Sequence, residues 1–273
     1  MSGKIEGTPE LFREAAEVLS AAAEEGRDLE SALLGVHGAE GVLKLSSRQG
    51  SCFEIRISGS KGIFAKLLSD AASAKREEEF SKLVGGAGVS CPRVEARCKR
   101  AIARTYIEGR PASEELDAMK GWGDAQAALK LTRRIGAMLA SVHEVAAADG
   151  RLVTLEDANL RNFIVSSGNA LSVIDLADAA FGDQAQDLGG LIVHILTHRP
   201  AFSQLSWQMA EAAIESYSKQ RKVSFEGGWF EDGLKRAFRK ATIRRADECL
   251  LSYEDEAVSK LAAAKVQKRG ERH

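Results

Sequence analysis

A chain of 273 residues with 44% hydrophobic content is long enough to bury a sizeable core, as one large domain or as two unequal lobes. A formal net charge of -1 with a pI near 6.6 exerts no global pull toward nucleic acid or anionic lipid, so no nucleic-acid partner is expected. The N-terminus has no apolar signal region and no apolar run approaches the length of a membrane span, which points to a cytoplasmic protein.

Taken in chain order, "TPELFREAAEVLSAAAEEG" has a helix-start Thr8 and Pro9, apolar residues at helical spacing and a terminating Gly26. It reads as an amphipathic helix, an N-terminal extension over residues 1–30. From Val42 to Leu68, three β-type runs are broken by "SSRQGS" and "GSKG", turn chemistry that predicts an antiparallel meander. "SDAASAKREEEFSKLVGGAG" predicts a helix ending in glycines, and "PRVEARCKRAIARTYIEG" two further strands ending at Gly109. Residues 31–107 are therefore expected to form a small β-rich lobe and residues 108–273 a larger helical one.

That second region opens on "SEELDAMKGWGDAQAALKLTRRIGAMLASVHEVAA", with Leu129, Ile135, Leu139 and Val142 at helical spacing. "NFIV" and "LSVIDL", separated by "SSGNA", predict a β-hairpin, and the chain from "DLGGLIVHILTH" to "AVSKLAAAKVQ" reads as helices. Cys52, Cys91, Cys98 and Cys249 form no CxxC pair and read as reduced structural thiols. His37, His143, His194, His198 and His273 fit no zinc spacing. His194 and His198, four apart, would share one helix face, a structural or surface pair since no further ligand lies nearby.

The chemistry concentrates in "LEDANLRNFIV". Asp157 and Asn162 stand just before the first hairpin strand, and Asp175 comes at the end of the second. Phosphoryl transfer from ATP needs hard oxygen ligands for Mg²⁺ and a carboxylate to orient the attacking hydroxyl, and these three side chains supply them. The plain alternative is that Asp157 and Asn162 cap a turn.

The pattern DxxxxN followed by "ID" at the end of the next strand resembles the catalytic and metal-binding loops of the protein-kinase-like fold, in the branch of aminoglycoside and choline phosphotransferases and lipopolysaccharide (Kdo) sugar kinases. "FAKLL", "KREEEF", "GVSCPRV", "YIEGRP", "IGAMLASVHE" and "GDQAQDLGGL" keep the order of that family, over about Val42 to Leu191. The resemblance implies an α+β bilobal fold, with a small antiparallel β-rich N-lobe and a larger mainly helical C-lobe. It also implies an ATP-dependent kinase of a sugar or small-molecule hydroxyl that uses Mg²⁺. A lipopolysaccharide core sugar is one such acceptor, with peripheral contact to a membrane lipopolysaccharide precursor.

Carried onto this chain, the resemblance makes Lys66 the ligand of the α- and β-phosphates and Glu77 its partner, with adjacent Glu78 and Glu79 as alternatives. Asp157 becomes the catalytic, hydroxyl-orienting carboxylate, and Asn162 and Asp175 the Mg²⁺ ligands. Tyr106, Ile107 and Glu108 meet the adenine through backbone groups, Gly50 approaches the phosphates, Asp187 braces the catalytic loop, and His143 packs without chemistry.

Four departures accompany the resemblance. Leu155 stands where the family has histidine. Asn159 replaces a basic residue, although Arg161 lies in the same loop. "SSRQGSC" replaces a GxGxxG loop, and Leu176-Ala177 replaces Phe-Gly. A pseudokinase scaffold, or a small atypical Ser/Thr protein kinase similar to the KEOPS-complex kinase, are the alternative readings.

For the acceptor, Lys235, Arg236, Arg239, Lys240, Arg244 and Arg245 form a basic helix that would attract an anionic molecule, unless the acids of "DECLLSYEDE" balance it. Trp207, Trp229 and Phe230 would stack on a sugar or fill the core.

Overall fold

The computed structural model of the protein describes residues 8–45, 50–58, 62–147, 150–225 and 228–261. The chain divides into two compact units. The first runs through Glu108 and includes Ile174–Asp178, and the second holds Gly109–Val173 and continues from Ala179. No helix among the described residues is long and apolar enough to cross a membrane.

In the first unit, α1 (Thr8–Glu25) turns Phe12, Ala15, Ala16 and Leu19 to one buried face and stops at Gly26, whose φ of 67° suits glycine. After α2 (Leu29–Leu33) come β1 (Ala39–Leu45), β2 (Ser51–Ile57) and β3 (Ile63–Leu67). The chain then forms α3 (Ala71–Gly86), capped by Asp70 accepting from Ser73 N at 2.8 Å, and β4 (Val94–Cys98) and β5 (Ala101–Thr105). All neighbours pair antiparallel in a five-stranded sheet of order β1-β2-β3-β5-β4.

The strand period of two divides this sheet chemically. Phe53, Ile55, Ile63, Ala65, Ala101 and Ala103 pack in one cluster with α1. Lys66 and Arg104 therefore belong to the opposite face with Ile102, which joins Ala74 of α3, Leu68, Val94 and Ala177 in a second cluster. The N-terminal helix is thus a wall of the core, and it leaves the α3 face to hold charge.

The second unit begins with β6 (Arg110–Pro111), α4 (Ala112–Gly121) and α5 (Ala125–His143). The long helical pattern is cut between α4 and α5, where Gly123 is left-handed (φ 73°) and Asp124 caps α5 by accepting from Ala127 N at 2.9 Å. Next come β7 (Leu152–Thr154), β8 (Phe163–Val165), β9 (Leu171–Val173) and β10 (Ala180–Gly182). The expected hairpin is β8–β9, extended by β6, and β7 pairs with β10. Three helices complete the unit: α6 (Gln184–Leu196), α7 (Gln204–Arg221) and α8 (Trp229–Arg245). α6 and α8 cross at Gly189 and Gly233, where a Cβ on Gly189 would lie 2.6 Å from Gly233 O. No larger residue allows that approach, which brings α8 beside the loop after β7.

Candidate active site

The predicted site residues fall into two groups, one in each unit. In the first, Lys66 on β3 is 3% exposed, and its ammonium donates to Glu77 Oε2 of α3 at 2.9 Å and to Asp175 Oδ1 at 2.5 Å. Burial alone would push the lysine pKa down, but the Glu77 and Asp175 carboxylates outweigh it and hold the pKa above its ordinary value. The neighbouring acids of α3 are otherwise engaged. Glu78 pairs with Lys82 and Arg97, and Glu79 with Lys75, so Glu77 is the lysine's partner. Asp175 adopts a left-handed backbone (φ 64°), a strained conformation for a non-glycine residue, in the segment that returns to the first unit after β9.

Sequence reasoning missed Arg104, the fourth charge here. It is 3% exposed and stacks over Phe64 at 4.1 Å, and its Nε has no hydrogen-bond partner. Burial pushes its pKa down, while the fields of Glu77 and Asp175 oppose that shift. With it, two cations face two carboxylates, so the cluster is neutral. The sequence signal was a cation at a core-facing position of a strand, between Ile102 and the end of β5.

In the second unit the loop between β7 and β8 is held from below. Asp187 of α6, buried, accepts from the backbone N–H of Leu155 and, at 2.8 Å, from that of Glu156. Its Oδ2 also lies 3.1 Å from His143 Nε2, whose other nitrogen meets Tyr217 Oη at 2.7 Å. Glu156, left-handed at φ 61°, turns the chain so that Asp157 leaves the brace. Leu155, buried, fills the place of the family's histidine with apolar packing. Asn159, also buried, donates to Asp157 Oδ2 at 2.8 Å. Asn162 donates Nδ2 to the Asp157 carbonyl at 3.0 Å, which leaves Oδ1 without a hydrogen bond among the described residues. Asp175 Oδ2 is likewise uncommitted there. Each of these side chains thus keeps a hard oxygen of the kind a divalent cation takes, and two bonds to Lys66 leave its third ammonium N–H uncommitted.

The basic helix α8 reaches this loop. Arg244 Nη1 donates to Asp157 Oδ1 at 2.8 Å, and Lys240 Nζ to the Glu156 carbonyl at 3.0 Å. Of the acids expected to balance α8, Glu254 lies 3.7 Å from Arg239, whereas Arg236 pairs with Asp183. Lys240, Arg244 and Arg245 line an open pocket with Glu156, Asp157 and His194.

The remaining expectations meet mixed outcomes. His194 and His198 do not share a helix face, because α6 stops at Leu196. His194 lines the pocket, whereas His198 lies 3.1 Å from Lys120 Nζ and from the Ser113 carbonyl. Phe230 is core, and Trp229 stacks on Phe225. Of the loop in place of GxGxxG, Ser46, Ser47, Arg48 and Gln49 lie outside the described residues, as does His273. Gly50 is described at φ 148°, with its Cα against the Leu67 carbonyl, so the glycine there serves the join of β2 and β3. Tyr106 N donates to Gly62 O at 2.9 Å, while Ile107 and Glu108 make no backbone hydrogen bond among the described residues.

No family model and no curated protein matches this sequence. Solved structures do. The ethanolamine kinase of Plasmodium vivax superposes with a TM-score of 0.58 at 9% identity, over 97% of this chain and 96% of that one. The ADP-bound aminoglycoside phosphotransferase APH(2'')-Ib gives 0.57 at 15% identity, over 86% and 96%. The macrolide 2'-phosphotransferase MphH of Brachybacterium faecium gives 0.51 at 14% identity, over 89% and 97%. The fold is therefore the α+β protein-kinase-like fold, in the form found in aminoglycoside phosphotransferases.

Proposed function

We propose that the protein is an ATP-dependent phosphotransferase acting on a hydroxyl of a small molecule. The observation that carries this reading is the lysine at the centre of the first unit, fully buried yet kept charged by Glu77 and Asp175. Burying the two ionised groups Lys66 and Glu77 costs several kcal/mol per ion and is weak evidence of stability by itself. A site that must meet a polyphosphate gives such burial a use.

In this reading the remaining N–H of Lys66 meets the α- and β-phosphates, and the backbone of Ile107 and Glu108 meets the adenine. Asn162 and Asp175 hold Mg²⁺, which when bound neutralises charge on the β- and γ-phosphates. Asp157 orients the acceptor hydroxyl and takes its proton as the new oxygen–phosphorus bond forms and the bond to ADP breaks. Asn159 fixes one carboxylate oxygen of Asp157, and Asp187 holds the loop beneath it.

A second reading, a scaffold without turnover, is favoured by the ion pair that covers the other oxygen of Asp157. Thermal unfolding with ATP and Mg²⁺, followed by ADP release with an acceptor panel, separates the two. A nucleotide at about a hundred times its Kd stabilises the fold by about 2.7 kcal/mol. Turnover abolished in Asp157→Asn supports the enzyme, and stabilisation without ADP release from any acceptor supports the scaffold. The finer assignment, a lipopolysaccharide core sugar such as Kdo, rests on the sequence resemblance. It is tested by including Kdo beside an aminoglycoside and ethanolamine in that panel.

A further inference from the structure

We propose that the pocket behind Asp157 is an anion subsite, which takes a carboxylate or phosphate group of the acceptor on Lys240 and Arg244, and that Arg244 exchanges Asp157 for that group when the acceptor enters. The proposal deepens the phosphotransferase reading and rests on it. It begins from a conflict within the site. A carboxylate that is to take a hydroxyl's proton is a weaker base while ion-paired, and Asp157 accepts on both oxygens, Oδ1 from Arg244 and Oδ2 from Asn159, each at 2.8 Å. Asn159 is buried, whereas Arg244 is 40% exposed at its side chain and its partner Asp157 31%. An ion pair this open to water is weak and exchangeable. Arg244 is therefore the group that leaves.

The rest of the pocket says what draws it away. Its other acid, Glu156, is committed, accepting from Thr154 Oγ1 at 2.9 Å and from Gln186 Nε2 at 3.3 Å. Lys240 has only the Glu156 carbonyl, and no carboxylate lies within 4.0 Å of it among the described residues. Elsewhere on α8, Arg236 and Arg239 each have an acid. His194 lines the same wall and makes no hydrogen bond among the described residues. Burial above all, with the fields of Arg245 and Arg244 added and that of Asp157 opposed, holds its pKa down at about 4, so its imidazole is neutral. Lys240 and Arg244 thus present cationic donors in an open pocket beside the candidate base. A hydroxylated anion, such as a sugar acid or sugar phosphate, satisfies both needs at once. Its charge takes Arg244 and Lys240, and its hydroxyl takes the oxygen that Arg244 vacates. A polycationic acceptor would meet repulsion here.

The test uses the full chain without nucleotide, titrated with inorganic phosphate and separately with gluconate, and monitored by calorimetry. Phosphate is expected to bind wild type, to bind Lys240→Ala and Arg244→Ala at least about tenfold more weakly, and to bind Lys82→Ala, an exposed change on α3, as it binds wild type. Asp157→Asn is expected to bind it severalfold more tightly, because Arg244 no longer has a competing carboxylate. Binding that is absent from wild type, that is equal in wild type and both α8 variants, or that weakens in Asp157→Asn overturns the proposal. Whether gluconate or phosphate binds more tightly distinguishes a carboxylate from a phosphate acceptor. ATP with Mg²⁺ is titrated in parallel. Loss of that binding alone sinks the phosphotransferase reading, and loss of anion binding alone sinks the subsite.

Discussion

At the scale of single residues, the site depends on charges that compensate one another, so removing one exposes the others. Lys66→Met leaves the Glu77 and Asp175 carboxylates without the cation that holds them. Breaking a buried pair in this way costs about 3 kcal/mol. Urea unfolding of the variant should show a loss of that size together with loss of ATP-dependent stabilisation; a variant as stable as wild type would mean that Lys66 is not charged in the fold. His194 gives a prediction of the same sign as an ion-paired carboxylate, although here burial is the main cause. Its folded pKa, near 4, lies below the value of 6.5 of the free side chain, so the unfolded chain binds the proton first. The stability it allows is complete above pH 6.5 and is lost as pH falls toward 4, a change on the order of 2 kcal/mol. His194→Gln should flatten the stability curve over that window relative to wild type. The sequence made Lys66, Asp157, Asn162 and Asp175 legible because the motif order fixes their places along the chain. Arg104 and Arg244 were not, because what gives them meaning is a partner 27 to 87 residues away in the chain: Glu77 for the first, Asp157 for the second.

At the scale of elements, the loop bearing Asp157 owes its shape to one side chain of α6. Asp187→Ala removes the acceptor of two backbone N–H groups and the partner of His143 in a buried setting. Each unsatisfied buried group costs about 1–3 kcal/mol, so a total near 3 kcal/mol is expected in chemical unfolding. Turnover should fall further than ATP binding does, since Lys66, the proposed phosphate ligand, lies in the other unit; equal loss of both would show that Asp187 acts beyond the loop. The α6–α8 crossing is as demanding. Gly233→Ala forces a methyl into the Ala185 backbone, an overpacking that costs about 1–3 kcal/mol and moves α8 outward. The Arg244–Asp157 pair should loosen with it, read as tighter phosphate binding at a lower melting temperature. Periodicity made α1, α3, α5, the hairpin and the meander legible, since each repeats apolar residues at its own spacing. It missed β7 and β10, whose strands are three residues each and pair only through a contact 26 residues apart in sequence. It also ran α4 and α5 together, since the apolar stripe continues past the break at Gly123.

At the scale of the whole molecule, the division of the chain was legible as a change of texture near Gly109, from alternating to helical spacing. Two features of it were not. Ile174–Asp178 belongs to the first unit although second-unit sequence flanks it on both sides, because Ala177 packs with Leu68, Ala74, Val94 and Ile102 while Asp175 meets Lys66. The N-terminal helix, read as an amphipathic extension packed on the body, supplies one wall of that unit's core, a partner that its periodicity does not name. A five-stranded sheet with a charged cluster on one face buries most of its apolar surface on the other, and α1 is what covers it. Leu19, fully buried against the sheet, therefore answers for the first unit as a whole. Leu19→Ala should cost about 2–5 kcal/mol through lost transfer energy and the cavity left behind. Arg13→Ala, on the exposed side of the same helix, should stay within about 0.5 kcal/mol of wild type. Urea unfolding monitored with ATP and Mg²⁺ present decides the point. If α1 is a wall of the nucleotide-binding unit, the midpoint of Leu19→Ala falls and the ligand recovers part of the loss; if α1 is a detachable extension, both variants unfold with wild type and the helix carries none of the stability of the lysine site.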